Sequence, residues 1–292
     1  MLIDAILLIG VGLVTGYASG LFGIGGGLLR IPIFLYLMPV LGVPSALAMH
    51  VAAGTSLAVA VPTTISASHS HHRAGNIDVG LLRTWLPALA IGVVIGLIAT
   101  RYLSGRALEG LFAALVLVAG IRMLVPRAHK GSSHSTEHCP PGGDEGASPA
   151  EDPQAHLPSR PVLSIFALAI GVISPMVGII GGTFTTPVLT ACRYPIHRAV
   201  AVSCVGGLVV SVLGTIGFVV TGWDAAGLPA RFIGYVDPLA FLLMTPCVLV
   251  TVPLGVHTAN RLSQRALTIL FGLLLLAIAA DVAYSVVFWH GE

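Results

Sequence analysis

Charge is the scarcest feature of this sequence. Only 9% of its 292 residues are Asp, Glu, Lys or Arg, and the net charge is +2. An ordinary soluble domain carries roughly 25% charged residues. No basic stripe interleaved with aromatics is present, so nucleic acid is not an expected partner. Cysteine is sparse and scattered: Cys139, Cys192, Cys204 and Cys247, without a CxxC pair. Three of the four lie in apolar segments, where a cysteine acts as a small buried hydrophobe, and they say nothing about redox compartment. The opening "MLIDAILLIGVGLV" lacks a basic leader and an A-x-A-like cleavage site. It reads as a retained first helix, not as a removed signal peptide. No lysine follows the glycine-rich run, which excludes a P-loop, and no βαβ context supports a dinucleotide fingerprint. Neither a Ser/His/Asp signature nor a paired-carboxylate motif nor an ATP-binding motif stands out. The chain is therefore not expected to be an enzyme or a primary pump, and no cofactor is expected.

What is abundant is apolar sequence. Hydrophobic residues make up 55% of the chain, and its mean hydropathy is +0.95. A spanning helix needs about 20 largely apolar residues, and several runs supply them: 2–22, 44–67, 79–100, 107–125, 161–180, 198–221, 235–259 and 266–289. Two more, 28–42 and 183–192, are short for a full crossing and read as half-helices or re-entrant pieces. The expected fold is an all-α integral membrane protein. Residues 126–160, "PRAHKGSSHSTEHCPPGGDEGASPAEDPQAHLPSR", are rich in Pro, Gly, Ser, His and charge. Such a stretch cannot bury enough surface to fold and reads as a flexible polar linker. It separates a first transmembrane half, 1–125, from a second, 161–292.

The halves echo each other. "GIGGGLLRIP" (23–32) aligns with "GIIGGTFTTP" (178–187), "HVAAGTS" (50–56) with "HRAVAVS" (197–203), and "RYLSGRAL" (101–108) with "NRLSQRAL" (260–267). Three blocks in the same order point to an internal duplication, a pattern typical of secondary transporters. Arg73, Arg83 and the linker's Arg127, Lys130 and Arg160 should share one face, cytoplasmic by the positive-inside rule. Arg101 and Arg106 then fall on the opposite face, against that rule. Parallel and inverted repeats are both open, depending on whether 28–42 and 183–192 cross.

The first echo is the most informative. Gly20, Gly23, Gly25, Gly26 and Gly27 are five glycines in eight residues of an apolar stretch. Each costs a helix about 0.5–1 kcal/mol relative to alanine. Gly12, Gly16 and Gly20 have the spacing that lets membrane helices approach closely. Gly25, Gly26 and Gly27, with Pro32 disfavouring helix at Ile31, suit a break instead. A break in hydrocarbon is tolerated where the chain lines a polar cavity or is buried in protein. Its free N–H groups and helix dipole suit an oxyanion. The second copy adds Thr183, Thr185 and Thr186 beside Gly181 and Gly182. The competing reading is a purely structural break.

The paired "GxGGGxxxxP"-type motifs, "AGTSL" at 53–57 followed by "GNID" at 75–78, and the two halves joined by a polar linker resemble the sulfite exporter TauE/SafE family. The resemblance covers both hydrophobic halves and excludes 126–160. It implies a multi-pass transporter with about eight transmembrane helices, moving sulfur oxyanions such as sulfite, sulfonates or thiosulfate across the cell inner membrane. Two positions depart from the pattern: Ile180 replaces a glycine, and Val202 stands where the first half has Thr55.

From these patterns the candidate substrate-binding residues are Gly25, Gly26, Gly27, Thr55, Ser56, Gly181, Gly182, Thr183, Thr185 and Ser203. The hydroxyls of Thr55, Ser56 and Ser203 either meet substrate or bond back to their own helix. His50 and His197 occupy matching positions six residues before a serine. They either relay protons as the coupling ion or cap a helix at the interface. Arg30 either attracts the anion or snorkels to the interface. Arg122 and Asp281 fall at matching positions near helix ends. "HSHHR" (69–73) with His129, His134, His138 and His156 supports an alternative, divalent-metal efflux, although zinc needs about four ligands in fixed geometry. No metal site is expected. Oligomeric state is not legible.

Overall fold

A computed structural model describes residues 2–22, 27–73, 75, 77–124, 159–192, 194–225, 227–259 and 264–288. The described chain forms ten helices: α1 (Leu2–Phe22), α2 (Gly27–Val40), α3 (Ser45–Arg73), α4 (Val79–Tyr102), α5 (Gly105–Leu124), α6 (Arg160–Val177), α7 (Gly182–Ala191), α8 (Ile196–Thr221), α9 (Pro238–Ala259) and α10 (Gln264–Phe288). Five of them, α1, α3, α4, α8 and α9, are long and apolar enough to cross a membrane, and shorter apolar helices accompany them. Their outward faces are oily: Ile91 and Ile98 on α4 are 55% and 53% exposed, Leu242 and Val250 on α9 69% and 65%. Such faces suit lipid rather than water.

Helix ends follow the sequence. Asp78 caps α4 by accepting from the Leu81 N–H at 3.1 Å, as short acidic side chains do at an N-cap. Gly178 ends α6 in the left-handed region at φ +68. A side chain there would be strained, and a Cβ would also lie 2.5 Å from Ile31 Cδ1 and 2.6 Å from Ala53 Cα.

Glycines set the close contacts. A Cβ on Gly12 would meet Met244 and Cys247, on Gly16 Val248 and Thr251, on Gly20 Val252 and Val256. The numbers rise together, so α1 and α9 run parallel, and the packing expected of Gly12, Gly16 and Gly20 is present. Gly92 faces Leu168 and Gly171, and Gly96 faces Val172 and Pro175, so α4 and α6 are parallel as well. By contrast Gly54 abuts Phe218, Gly214 abuts Leu57 and Thr64 bonds Ser211 at 3.2 Å, so α3 and α8 are antiparallel at the centre.

These directions define two ends of the bundle. The Asp237 end holds the starts of α1, α3 and α9 and the ends of α4 and α8. The Asp78 end holds the starts of α4, α6 and α8 and the end of α3. Helix α2 has 14 residues and α7 has 10. At 1.5 Å per residue neither reaches the ~30 Å of a hydrocarbon core. Both start inside: α2 runs out toward the Asp237 end, and α7 toward the Asp78 end.

One expectation fails. Ile31 and Pro32 are helical and buried, so Pro32 does not break its segment. Pro32 is the sixth residue of α2 and Pro187 the sixth of α7. Each proline removes a single donor close to the helix start, and the discontinuity lies upstream. For the second copy it spans Gly178 to Gly181. For the first copy, residues 23–26, with Gly25 and Gly26, lie outside the described residues.

Candidate functional site: a helix start, a glycine turn and a buried arginine

The start of α2 packs against the turn that precedes α7. A Cβ on Gly27, the first residue of α2, would lie 3.1 Å from the Gly178 carbonyl oxygen and 3.3 Å from Ile179 Cα. A Cβ on Gly182, the first residue of α7, would lie 2.9 Å from Ser203 Oγ. Only glycine permits both approaches without displacement.

Side chains from α3 and α8 fasten this junction. Ser56 Oγ donates to the Gly178 carbonyl at 3.2 Å. Ser203 Oγ donates to the Gly182 carbonyl at 2.7 Å and accepts from Thr186 Oγ1 at 2.9 Å. Neither serine bonds back to its own helix. Thr185 does, donating to the Gly181 carbonyl at 2.9 Å. Thr183 sits in the first turn of α7, where its N–H donates to the Ile180 carbonyl at 3.1 Å. The N–H groups of Gly181 and Gly182 have no acceptor among the described residues, which leaves the start of α7 with the free donors that bind anions.

Arg30 gives the junction its charge. It is fully buried, so it does not snorkel. Nη1 donates to the Ser56 carbonyl at 2.9 Å, and Nε has no partner. No carboxylate pairs with it among the described residues. An isolated buried cation costs on the order of several kcal/mol, a cost that an anion beside it would offset. Ser174 Oγ and Trp85 Nε1 are also buried without partners, and Ser174 Oγ lies 3.3 Å from where a Gly181 Cβ would be. These two groups escape a reading by motif. The only signal is a Ser-Pro pair shortly before a glycine turn.

Thr55 lies one residue from Ser56 but serves another contact. Its Oγ1 accepts from the Asp237 N–H at 3.0 Å, tying α3 to the α8–α9 connection. There Ile233 and Val236 exchange main-chain bonds at 3.0 and 3.1 Å. The Asp237 carboxylate accepts from Leu239 N–H and Arg231, and Arg231 also lies 3.7 Å from Asp4. Burial pushes the Asp237 carboxyl up, with Arg231 pulling it back. At the opposite end the Tyr194 hydroxyl donates to Asp78 at 2.7 Å.

His50 stands at the Asp237 end and not at the junction. It is 7% exposed. Its Nε2 lies 3.2 Å from the Thr100 carbonyl, and Nδ1 is buried without a partner. A carbonyl only accepts, so Nε2 carries a proton, and in a neutral ring Nδ1 would then be an acceptor. The ring packs against Tyr235 with centroids 5.2 Å apart. It lines a cavity of about 290 Å³ with Thr100, Arg101, Thr221, Asp224 and Tyr235. Burial raises the Tyr235 hydroxyl, and Arg101 opposes that. His197 lies in the first turn of α8, and its side chain is outside the described residues, as is that of Arg122. Asp281 accepts from the Tyr36 hydroxyl at 2.6 Å. No group of three or more His, Cys, Asp or Glu gathers among the described residues, and the linker histidines lie outside them.

Comparison with known proteins agrees in kind with this arrangement. The sequence model of the family described as "Sulfite exporter TauE/SafE" matches residues 8–282. A Haemophilus influenzae protein named probable membrane transporter protein is 31% identical over 274 residues, 93% of this chain and 95% of that one. A Methanocaldococcus jannaschii protein, also named a probable membrane transporter, is 27% identical over 92% of this chain and 91% of its own. A Bacillus subtilis protein of like name is 20% identical over 97% and 98%. No solved structure matches. With its apolar helices and a family match spanning most of its length, this chain is a multi-pass membrane protein and belongs to the sulfite exporter TauE/SafE family.

Proposed function

We propose that the chain is a secondary transporter of a small sulfur oxyanion of the sulfite, sulfonate or thiosulfate type, working by alternating access at the two glycine breaks. The observation that carries this reading is the meeting of Gly27 with Gly178 and Ile179 at the buried centre. Ser56 holds the Gly178 carbonyl, and Ser203 holds the carbonyl of Gly182, at the start of α7. Discontinuous helices meeting at mid-depth are the usual substrate site of secondary transporters. Gly25, Gly26, Gly27, Thr183 and Thr185 belong to the same proposed lining, with Thr55 as a latch beside it.

Residues 1–125 and 161–292 are proposed as two homologous repeats in inverted orientation, giving eight spans plus the half-helices α2 and α7. Exchanging the halves maps the α1–α9 contact onto α6–α4 and α2–α3 onto α7–α8, while α3–α8 and α5–α10 map onto themselves. A fourth block supports the pairing: "GNID" (75–78) corresponds to "GYVD" (234–237), with positive φ at both Gly75 and Gly234 and an aspartate before α4 and α9. Arg73, Arg83, Arg160 and Arg198 fall at the Asp78 end, which favours that end and the linker 126–160 as cytoplasmic in the cell inner membrane. His50 and His197 are the proposed proton-coupling pair.

Reconstituted flux tests the reading. Sulfite, thiosulfate, a sulfonate, sulfate and chloride are offered to proteoliposomes at controlled pH. Sulfite and the sulfonate should cross faster than chloride and faster than in empty vesicles. Equal rates in empty and loaded vesicles would refute transport.

A further inference from the structure

Arg30 carries more than the family assignment needs. Its guanidinium is fully buried. Its recorded bond is to the Ser56 carbonyl, Nε is unpaired, and no carboxylate neutralises it among the described residues. Three residues before it α2 begins at Gly27, against the Gly178 turn. Ser56, whose carbonyl it holds, donates its hydroxyl to that same turn. The arginine therefore sits within one helical turn of the contact between the α2 start and the Gly178 turn.

A structural peg between α2 and α3 needs no charge, since a neutral amide can donate to the Ser56 carbonyl. A guanidinium in a low-dielectric site with no carboxylate partner among the described residues attracts an anion, and its planar fork matches paired oxygens. The remaining donors at the junction, the N–H groups at the start of α7, supply only about half an elementary charge. One full charge balances one anionic charge. A dianion would leave a net negative charge buried, with the desolvation cost that entails.

We propose that Arg30 is the fixed positive charge of the anion site and that it selects singly charged oxyanions, hydrogen sulfite or a sulfonate, over dianions such as sulfate. This rests on the anion-site reading above, and the test separates the two.

Ligand-induced thermal stabilisation of the detergent-solubilised full chain is titrated with methanesulfonate and with sulfate, whose charges do not change between about pH 6 and 8. The wild type should respond to methanesulfonate at a concentration roughly tenfold lower than to sulfate. Arg30→Gln should lose the methanesulfonate response. Arg30→Lys should bind more weakly yet keep the preference, which a merely structural peg would not do. Sulfate acting at equal or lower concentration than methanesulfonate would overturn the proposal even if both variants misfold. So would an Arg30→Gln protein that responds to methanesulfonate like the wild type. Sulfite flux is measured on the same wild-type preparation. Methanesulfonate binding without flux refutes transport and keeps the charge assignment, whereas flux without the preference does the reverse.

Discussion

Ser56 Oγ donates to the carbonyl of Gly178 at 3.2 Å, joining residues 122 positions apart in sequence and on either side of the linker. The bond fixes the turn of one half against the long central helix of the other. A buried bond of this kind contributes about 1 kcal/mol, and leaving its acceptor unmade costs about 1–3 kcal/mol. Ser56→Ala is expected to lower the unfolding midpoint of the purified protein and to slow sulfite flux by roughly tenfold, a loss of about 1.4 kcal/mol. Unchanged flux with lowered stability would make Ser56 a fastening only.

Gly178→Ala should be harsher. The substitution places a side chain at positive φ and within 2.6 Å of the Ala53 backbone. Left-handed strain and overpacking each cost about 1–3 kcal/mol. The expected outcome is a poorly folded or strongly destabilised protein by thermal unfolding, whereas Gly10→Ala, where an added Cβ meets nothing within 4 Å, should behave as wild type.

His50 offers a test of coupling. Its Nδ1 is buried without a partner, and the residue lines a cavity that also holds Arg101 and Asp224. If it takes up the coupled proton there, His50→Gln should flatten the pH dependence of flux while sparing methanesulfonate binding at neutral pH. An unaltered pH profile would assign the ring to packing against Tyr235.

Asp237 gives a stability prediction of definite sign. Burial raises its carboxyl above the ordinary value despite Arg231. The folded state then holds the proton more tightly than the unfolded one, so this group's contribution falls as pH rises through the window above about 3.9. Asp237→Asn keeps an acceptor for the Leu239 N–H. It should remove that slope in thermal unfolding measured between pH 4 and 6, whereas an identical slope would place its origin elsewhere.

The metal reading has its own check. A chain with residues 126–160 replaced by a short Gly-Ser linker and with His69, His71 and His72 changed to Ala should transport sulfite at the wild-type rate and confer unchanged tolerance to zinc. Loss of zinc tolerance with intact sulfite flux would favour divalent-metal efflux.

The class of the molecule was legible because hydropathy and length act locally: 20 apolar residues need a bilayer or a core wherever they fall. The second break was legible for a similar reason, since Gly178, Gly181 and Gly182 are adjacent in sequence. Pro32 misled because a proline near a helix start costs little, and only the tertiary position of α2 reveals how near the start it is. The burial of Arg30 was not legible, as a long cationic side chain reaches either water or the interior depending on partners in other helices, here Ser56, 26 residues on. Nor was the latch from Asp237 to Thr55, which joins residues 182 apart. The block "GYVD" was hidden by Pro238 and by the longer connection that precedes it.

The central claim is that the two helix starts together form the transport site, and the most direct test is sulfite flux through Gly182→Leu in proteoliposomes. A Cβ at Gly182 already lies 2.9 Å from Ser203 Oγ, so leucine should fill the junction between α7 and α8. The comparison is with wild type and with Gly10→Leu, each checked for membrane insertion and a single elution peak. Gly182→Leu inserting normally with flux reduced to the empty-vesicle level, alongside wild-type flux in Gly10→Leu, is the predicted result. Wild-type sulfite flux through an inserted Gly182→Leu protein would contradict the account.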